Sequence, residues 1–310
     1  MRHAWLVAVL ALRCSGYELT GSLEPPAAVP VFLHGATYPF ESSTVSGADG
    51  RFHFGKLPTG TYTLVISTAA RGEAVQTIEL SPGTVDSKGR LDLILRLDDS
   101  RLESDGGRTT RATVSATVLT IPDRAMKEYE EAQRCLSRRE SDCASAHLLR
   151  AVELAPRFTA AWNQLGTVAY QTRRYSDAET DFRKALDTDP EAFSPLVNLG
   201  GVLLNLRRPQ EALGYNQRAV GRRLIDALAN SQLGLSYFYL NQADLAEKFL
   251  KIAMRLDPAH FSHPQLTLAE IYRGRGDRLA AIEMLRDFLK QHPDSPRDAD
   301  VRQEILELSR

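Results

Sequence analysis

Two histidines three residues apart, His260 and His263, are side chains that could share a metal ion. No third ligand is obvious in the sequence, and an isolated histidine pair is a weak metal signal, so we predict a structural role for both. Asp49 lacks the neighbouring carboxylates of a calcium loop and is accounted for by a turn. The sequence also has no phosphate-binding glycine loop, nucleophile-elbow serine or histidine pair at metalloprotease spacing. These observations predict a non-catalytic protein without a metal or cofactor.

The three cysteines are the other reactive side chains of this 310-residue chain. Cys135 and Cys143 fall at the end of one predicted helix and the start of its antiparallel partner. In an exported protein they could form a disulfide, and the alternative is a pair of small buried thiols. Neither their spacing nor their neighbours suggest zinc.

Cys14 follows a short apolar stretch at the N-terminus. A positive start is followed by eight apolar residues, Trp5 to Leu12, which is too short for a bilayer span of about 20 residues. The pattern is typical of a secretory signal peptide over residues 1–16, and the alternative is a hydrophobic first strand. A lipid anchor on Cys14 is a further alternative, although Arg13 and Ala11 depart from the lipoprotein pattern. We therefore expect an extracytoplasmic protein, located in the periplasm, at the outer membrane or outside the cell.

The composition and charge balance of the chain limit which classes of partner are predicted. The chain is 43% hydrophobic and 25% charged, as expected for a folded globular protein, and its 38 basic side chains balance 39 acidic ones. Without a net positive field, nucleic acid and anionic membranes are not predicted partners.

Residues 17–97 have the pattern of short strands. Leu91, Leu93 and Leu95 alternate with other side chains, as do Val29 and Val31, and this period of two is typical of half-buried strands. Several such strands separated by turn residues predict a β-sandwich. Residues 98–123 read as a linker, with one more predicted strand over 112–121.

Two turns in this region carry a family resemblance. An Asp49-Gly50 turn precedes Phe52 and Phe54, and a Pro58-to-Gly60 turn precedes a strand with Tyr62, Leu64 and Ile66. This stretch of sequence, with its two turns, is similar to the carboxypeptidase regulatory-like domain, a prealbumin-like sandwich. That resemblance implies an extracytoplasmic module for stability or adhesion, and it does not imply peptidase activity.

Small residues repeat every 34 positions in the second half of the chain. One series is Ala144, Ala178, Ala212 and Ala246, and a second is Ala151, Ala185, Ala219 and Ala253. A third, Ala132, Gly166, Gly200 and Gly234, precedes the first by twelve residues, where a preceding antiparallel helix would pass closest. A repeated hairpin of two helices accounts for all three series.

The period and these positions resemble the tetratricopeptide repeat, a solenoid unit that usually binds proteins. The second repeat matches the signature at Trp162, Leu165, Gly166, Ala178, Phe182, Ala185 and Pro190. Five repeats are predicted over residues 124–295, followed by a capping helix over 296–310. The third repeat departs from the pattern, because Asn216 stands where a large apolar residue is expected and Leu224 where proline is.

The resemblance also implies a concave groove lined by the first helix of each hairpin. Its second, fifth, sixth, ninth, twelfth and thirteenth positions face a ligand in this family. These positions include Asn163, Gln164, Thr167, Tyr170, Val197, Asn198, Leu204, Asn205, Ser231, Gln232, Leu235, Phe238 and Tyr239. Amides and aromatic rings without charge suit an extended neutral peptide. The alternative is that these residues only complete the packing between repeats.

Arginines also recur in register. Arg139, Arg173 and Arg207 are 34 residues apart, and Arg138, Arg174 and Arg208 adjoin them. Stacked repeats would align them as a ladder for phosphates or an acidic partner. We favour the alternative of a solvated edge, since arginine suits the negative end of the first helix.

The sequence thus predicts a β-sandwich followed by an all-α solenoid of helix-turn-helix repeats. The function expected is a non-catalytic scaffold of the bacterial cell envelope that binds a protein or peptide in its groove. The alternative is a targeting or accessory subunit of an envelope enzyme complex, with the sandwich binding polysaccharide or another surface polymer.

Overall fold

The computed structural model describes residues 16–68, 72–97 and 121–310. The predicted leader and the predicted strand at 112–121 lie almost entirely outside these residues. The fold class predicted from the sequence is confirmed, with strands in two sheets followed by a helical solenoid.

Seven strands of the N-terminal domain lie within the described residues. They are β1 (Tyr17–Glu24), β2 (Pro30–Gly35), β3 (Glu41–Val45), β4 (Arg51–Leu57), β5 (Gly60–Thr68), β6 (Gly72–Leu80) and β7 (Arg90–Arg96). One sheet has the order β4-β1-β7 and the other the order β3-β2-β5-β6. All pairs are antiparallel except β1 with β7.

The alternating residues of these strands fill the space between the sheets. Phe52 and Phe54 on β4 are buried, as are Tyr62, Leu64 and Ile66 on β5. The turn before β4 depends on glycine at position 50, whose φ of 76° lies in the left-handed region that favours glycine. The turn motifs of the sequence therefore set the register in which the aromatic side chains enter the core.

Eleven helices form the second domain. They are α1 (Asp123–Ser137), α2 (Ser141–Leu154), α3 (Thr159–Gln171), α4 (Tyr175–Thr188), α5 (Phe193–Asn205), α6 (Pro209–Arg222), α7 (Ala227–Tyr239), α8 (Ala243–Leu256), α9 (Pro264–Gly274), α10 (Arg278–Gln291) and α11 (Asp298–Leu308). Helices α1 to α10 pair as five antiparallel hairpins, and α11 packs on the last. No helix among the described residues is both long and apolar enough to cross a membrane.

The repeated small residues are packing positions, as the period predicts. The alanines of both series are fully buried. A Cβ atom at Gly166 would lie 2.7 Å from the Phe182 ring, and one at Gly234 would lie 2.7 Å from Leu250. Side chains of the second helix therefore fill the room that the missing Cβ atoms leave in the first helix.

The third repeat has a polar residue in this position. Asn216 is fully buried on α6 and faces Gly200, as Phe182 and Leu250 face their glycines. Its Nδ2 donates to Ser236 Oγ at 2.9 Å and to the Gln232 carbonyl at 3.2 Å, whereas its Oδ1 has no hydrogen-bond partner. Leu224, the other departure, is 70% exposed.

Candidate protein-binding surface

The residues predicted to line the groove lie on α3, α5 and α7, the first helices of repeats two to four. The structure divides them into four groups. Val197, Leu204 and Ser231 are buried in the solenoid and cannot contact a ligand directly. The others either bond to a neighbouring repeat, contact the sandwich or remain accessible.

The second group consists of amides that connect adjacent repeats. Asn198 Nδ2 donates to Asn163 Oδ1 at 3.0 Å and lies 3.5 Å from Thr167 Oγ1. Asn205 Nδ2 donates to the Tyr170 hydroxyl at 3.0 Å. Burial raises the pKa of Tyr170, so this phenol stays neutral. These side chains therefore form contacts between repeats, which was the alternative to ligand binding in the sequence analysis.

The sandwich lies against the same inner side of the solenoid. Gln164 Nε2 donates to Glu41 Oε2 at 3.3 Å, and Gln171 Nε2 donates to the Gly35 carbonyl at 2.8 Å. Burial raises the pKa of Glu41, the carboxyl that faces Gln164. Gln171 is missing from the predicted groove set, although it lies 34 residues before Asn205, and the repeat register alone could have identified it.

An accessible group remains at the C-terminal ends of α3, α5 and α7. We call Tyr170, Asn205, Phe238 and Tyr239 the groove patch. Tyr239 is 43% exposed, Asn205 is exposed, and the other two side chains are half-buried. The Phe238 and Tyr239 rings lie 5.6 Å apart, and the Arg207 guanidinium lies 5.8 Å from the Tyr239 ring centre. The patch offers flat apolar area, an amide and one cation.

The predicted set also includes Gln232 and Leu235 on α7, which are half-buried between these groups. Gln232 Oε1 is buried without a hydrogen-bond partner, and a Cβ atom at Gly201 would lie 2.6 Å from its Nε2. Gly201 therefore makes room for this amide between α5 and α7.

One of the two arginine series, Arg138, Arg174 and Arg208, is paired with carboxylates. Arg138 pairs with Glu140 at 3.0 Å, and Arg208 lies 2.8 Å from Glu179 and 2.6 Å from Glu211. The other series occupies the turn between the two helices of a hairpin, where Arg139, Arg173 and Arg207 all have φ near 60°. Carboxylates neutralise Arg138, Arg174 and Arg208. The solvated-edge interpretation therefore fits these three side chains better than a phosphate site.

A second set of sandwich contacts comes from the turns that follow α6, α8 and α10. Arg223, Asp257 and His292 are the residues that cap the C-terminal ends of these three helices. Each faces strand β6. Arg223 Nη1 donates to Glu73 Oε2 at 2.8 Å, Asp257 Oδ2 accepts from the Thr77 amide at 2.9 Å, and His292 Nδ1 lies 3.1 Å from Glu79 Oε2. We call these three pairs the cap ladder.

Cys135, Cys143, His260 and His263 all make contacts within the solenoid. Cys135 and Cys143 are joined in a disulfide, and His147 is the further ligand-type side chain that lies within 4.8 Å of their sulfurs. Burial lowers the pKa of His260 to about 3 and that of His263 to about 4. His260 Nδ1 lies 2.7 Å from Ser262 Oγ, and His263 packs edge-on against Phe288, so both rings are neutral parts of the solenoid.

Comparison with protein families assigns the helical half of the chain. Family models described as tetratricopeptide repeat match residues 129–193, 163–229, 227–260 and 265–295. Together the matches cover just over half of the 310 residues and fall on α1 to α10.

Individual relatives match parts of the chain. Anaphase-promoting complex subunit 6 of Arabidopsis thaliana is 30% identical over 108 residues, which make up 33% of this chain and 20% of that protein. The structure of MamA from Desulfovibrio magneticus RS-1 has a TM-score of 0.51 at 24% identity and covers 57% of this chain and 99% of its own. PilF of Pseudomonas aeruginosa has a TM-score of 0.50 at 20% identity, with coverage of 60% and 89%. At such identities the two structures show a shared fold.

Proposed function

Because the chain belongs to the tetratricopeptide-repeat family, we propose that it is a non-catalytic protein-interaction scaffold whose solenoid binds a protein or an extended peptide at the groove patch. Arrays of such repeats present extended concave surfaces used for binding. The observation that carries the proposal is the exposed Tyr239 ring beside Phe238, with Arg207 over its face and Asn205 on the neighbouring helix.

The chemistry of the patch indicates the kind of segment it would bind. Tyrosine and phenylalanine give large contact area at low cost in side-chain entropy, and an exposed amide can both donate to and accept from a peptide backbone. The Arg207 guanidinium adds one positive charge. A neutral or weakly acidic extended segment with an apolar side chain would match these groups.

We further propose an extracytoplasmic location at the bacterial cell envelope. The disulfide between Cys135 and Cys143 supports it, because disulfides persist in oxidising compartments. The signal-peptide pattern of residues 1–16 agrees. Fractionation of the producing cell, with alkylation of free thiols before lysis, would test this. Protein confined to the cytoplasm with both Cys135 and Cys143 alkylated would contradict it.

The binding surface is tested by photo-crosslinking. A photoreactive amino acid in place of Tyr239 should crosslink to a protein that the same amino acid in place of Leu279 does not reach. Leu279 is the matched control, because it is 82% exposed on α10 and far from the patch in register. Tyr239→Ala with Asn205→Ala should weaken capture of that protein by roughly 30-fold, since a central aromatic contributes about 2 kcal/mol or more to an interface. Equal capture by this variant and by Leu279→Ala would refute the assignment.

A further inference from the structure

Among the strands that the structure describes, β6 lies at the edge of its sheet, and the cap ladder runs along it. Edge strands present unpaired backbone groups, and proteins usually cover or charge them. Here the Asp257 carboxylate accepts from the Thr77 amide, while Glu73 and Glu79 meet Arg223 and His292. The three solenoid residues come from equivalent turns in repeats three, four and five, so the strand lies across three consecutive repeats.

The sandwich is also held at its other side. Arg139, in the turn between α1 and α2, donates to the Tyr62 hydroxyl at 3.3 Å, and its guanidinium lies 5.0 Å from the Tyr38 ring centre. Gln164 and Gln171 on α3 add the hydrogen bonds to Glu41 and Gly35. The sandwich thus covers groove positions of the second repeat while the groove patch stays accessible.

The ion pair between Arg223 and Glu73 and the amide bonds from α3 are contacts of a kind that opens easily. Arg223 and Glu73 keep 36% and 41% of their side chains exposed, and ion pairs in that setting contribute little to stability. The amide bonds to Glu41 and Gly35 are single neutral or charge-assisted hydrogen bonds. Relative motion of two domains is the default expectation unless their interface is large and hydrophobic. His292, Asp257 and Thr77 are the buried members of the cap ladder, at 3%, 4% and 4% exposure.

We infer that the sandwich is an intramolecular latch, an autoinhibitory contact that occupies the inner surface of repeats one and two and must release before a protein partner can use it. A partner that needs Gln164 and Gln171 then binds only the released fraction of molecules. Its apparent dissociation constant exceeds the intrinsic one by the inverse of that fraction. This consequence rests on the proposed function, whereas the docking and release of the sandwich do not.

The latch is tested on the full chain by hydrogen exchange and small-angle X-ray scattering. Arg139→Gly with Gln171→Ala removes two of the contacts. Arg173→Gly with Gln303→Ala is the matched control, because Arg173 has the same backbone conformation, with φ of 62° against 63°, and Gln303 bonds to Glu307 on α11. The latch variant should raise the exchange rate of the Thr77 amide by roughly tenfold and increase the radius of gyration. The control should change neither.

A second variant, Glu73→Gln with Glu79→Gln, weakens the opposite side of the interface from within the sandwich and should have the same effect. Unchanged exchange at Thr77 in both variants would overturn the inference. Loss of protection in α3 and β6 together would also overturn it, because the two domains would then be one cooperative unit. Neither measurement needs a partner, so failure of the latch and failure of the groove-patch assignment are distinguishable. The groove-patch assignment is tested separately, by crosslinking at Tyr239.

Discussion

Replacing the buried Asn216 by leucine should stabilise the solenoid. The change removes two hydrogen bonds, each contributing about 1 kcal/mol net, and removes the Oδ1 atom that lacks a partner, which costs about 2 kcal/mol. Burying a leucine side chain contributes about 2 kcal/mol. The sum is a free energy of unfolding that is about 2 kcal/mol larger. Gly200 leaves room for the leucine, as Gly234 does for Leu250.

Urea denaturation followed by helical circular dichroism measures this difference. The reciprocal change, Leu250→Asn, is the control, because position 250 offers the same glycine but lacks the serine that serves Asn216. It should destabilise the solenoid by about 4 kcal/mol, through lost apolar burial and unpaired amide atoms. If Asn216→Leu lowered the stability by 1 kcal/mol or more, the bond to Ser236 would outweigh the orphaned oxygen and the reasoning would be refuted.

Two further predictions concern titration and the disulfide. Burial lowers the pKa of His263 from 6.5 to about 4, so its contribution to stability is complete above pH 6.5 and is lost as the pH falls toward 4. The stability advantage of the wild type over His263→Asn should therefore shrink by a few kcal/mol over this range, and a constant difference between the two urea curves would contradict it. The disulfide between Cys135 and Cys143 closes a loop with a sequence separation of 8, so dithiothreitol should lower the stability of the wild type by about 2 to 3 kcal/mol. The double alanine variant should not respond to the reductant, and a wild type that is equally indifferent would show that the link contributes nothing.

The packing of the solenoid could be predicted from the sequence because each repeat buries the same positions. Alanines such as Ala178 and Ala212 are fully buried, and glycines such as Gly166 face a large side chain at contact distance. Only a small residue fits where two helices cross closely. A small residue that recurs at a fixed interval therefore marks this helix contact in every repeat. The strand alternation of the sandwich has the same origin, since neighbouring side chains point to opposite faces.

The arrangement of the two domains could not be predicted in this way. Thr77 meets Asp257 across 180 residues of sequence, and Gln171 meets Gly35 across 136. Such contacts have no period, and each uses a side chain that would serve equally well on a solvated surface. For the same reason the groove residues could not be divided in advance into those that bond between repeats and those that remain accessible.

The cap ladder has a mechanical consequence. In a solenoid each repeat contacts only its neighbours, so small rotations between repeats add up to a large change in the curvature of the array. Strand β6 touches three consecutive repeats, and Arg139 and Gln171 tie the same sandwich to the first two. While it is docked, the sandwich therefore links all five repeats and limits changes in the curvature of the array.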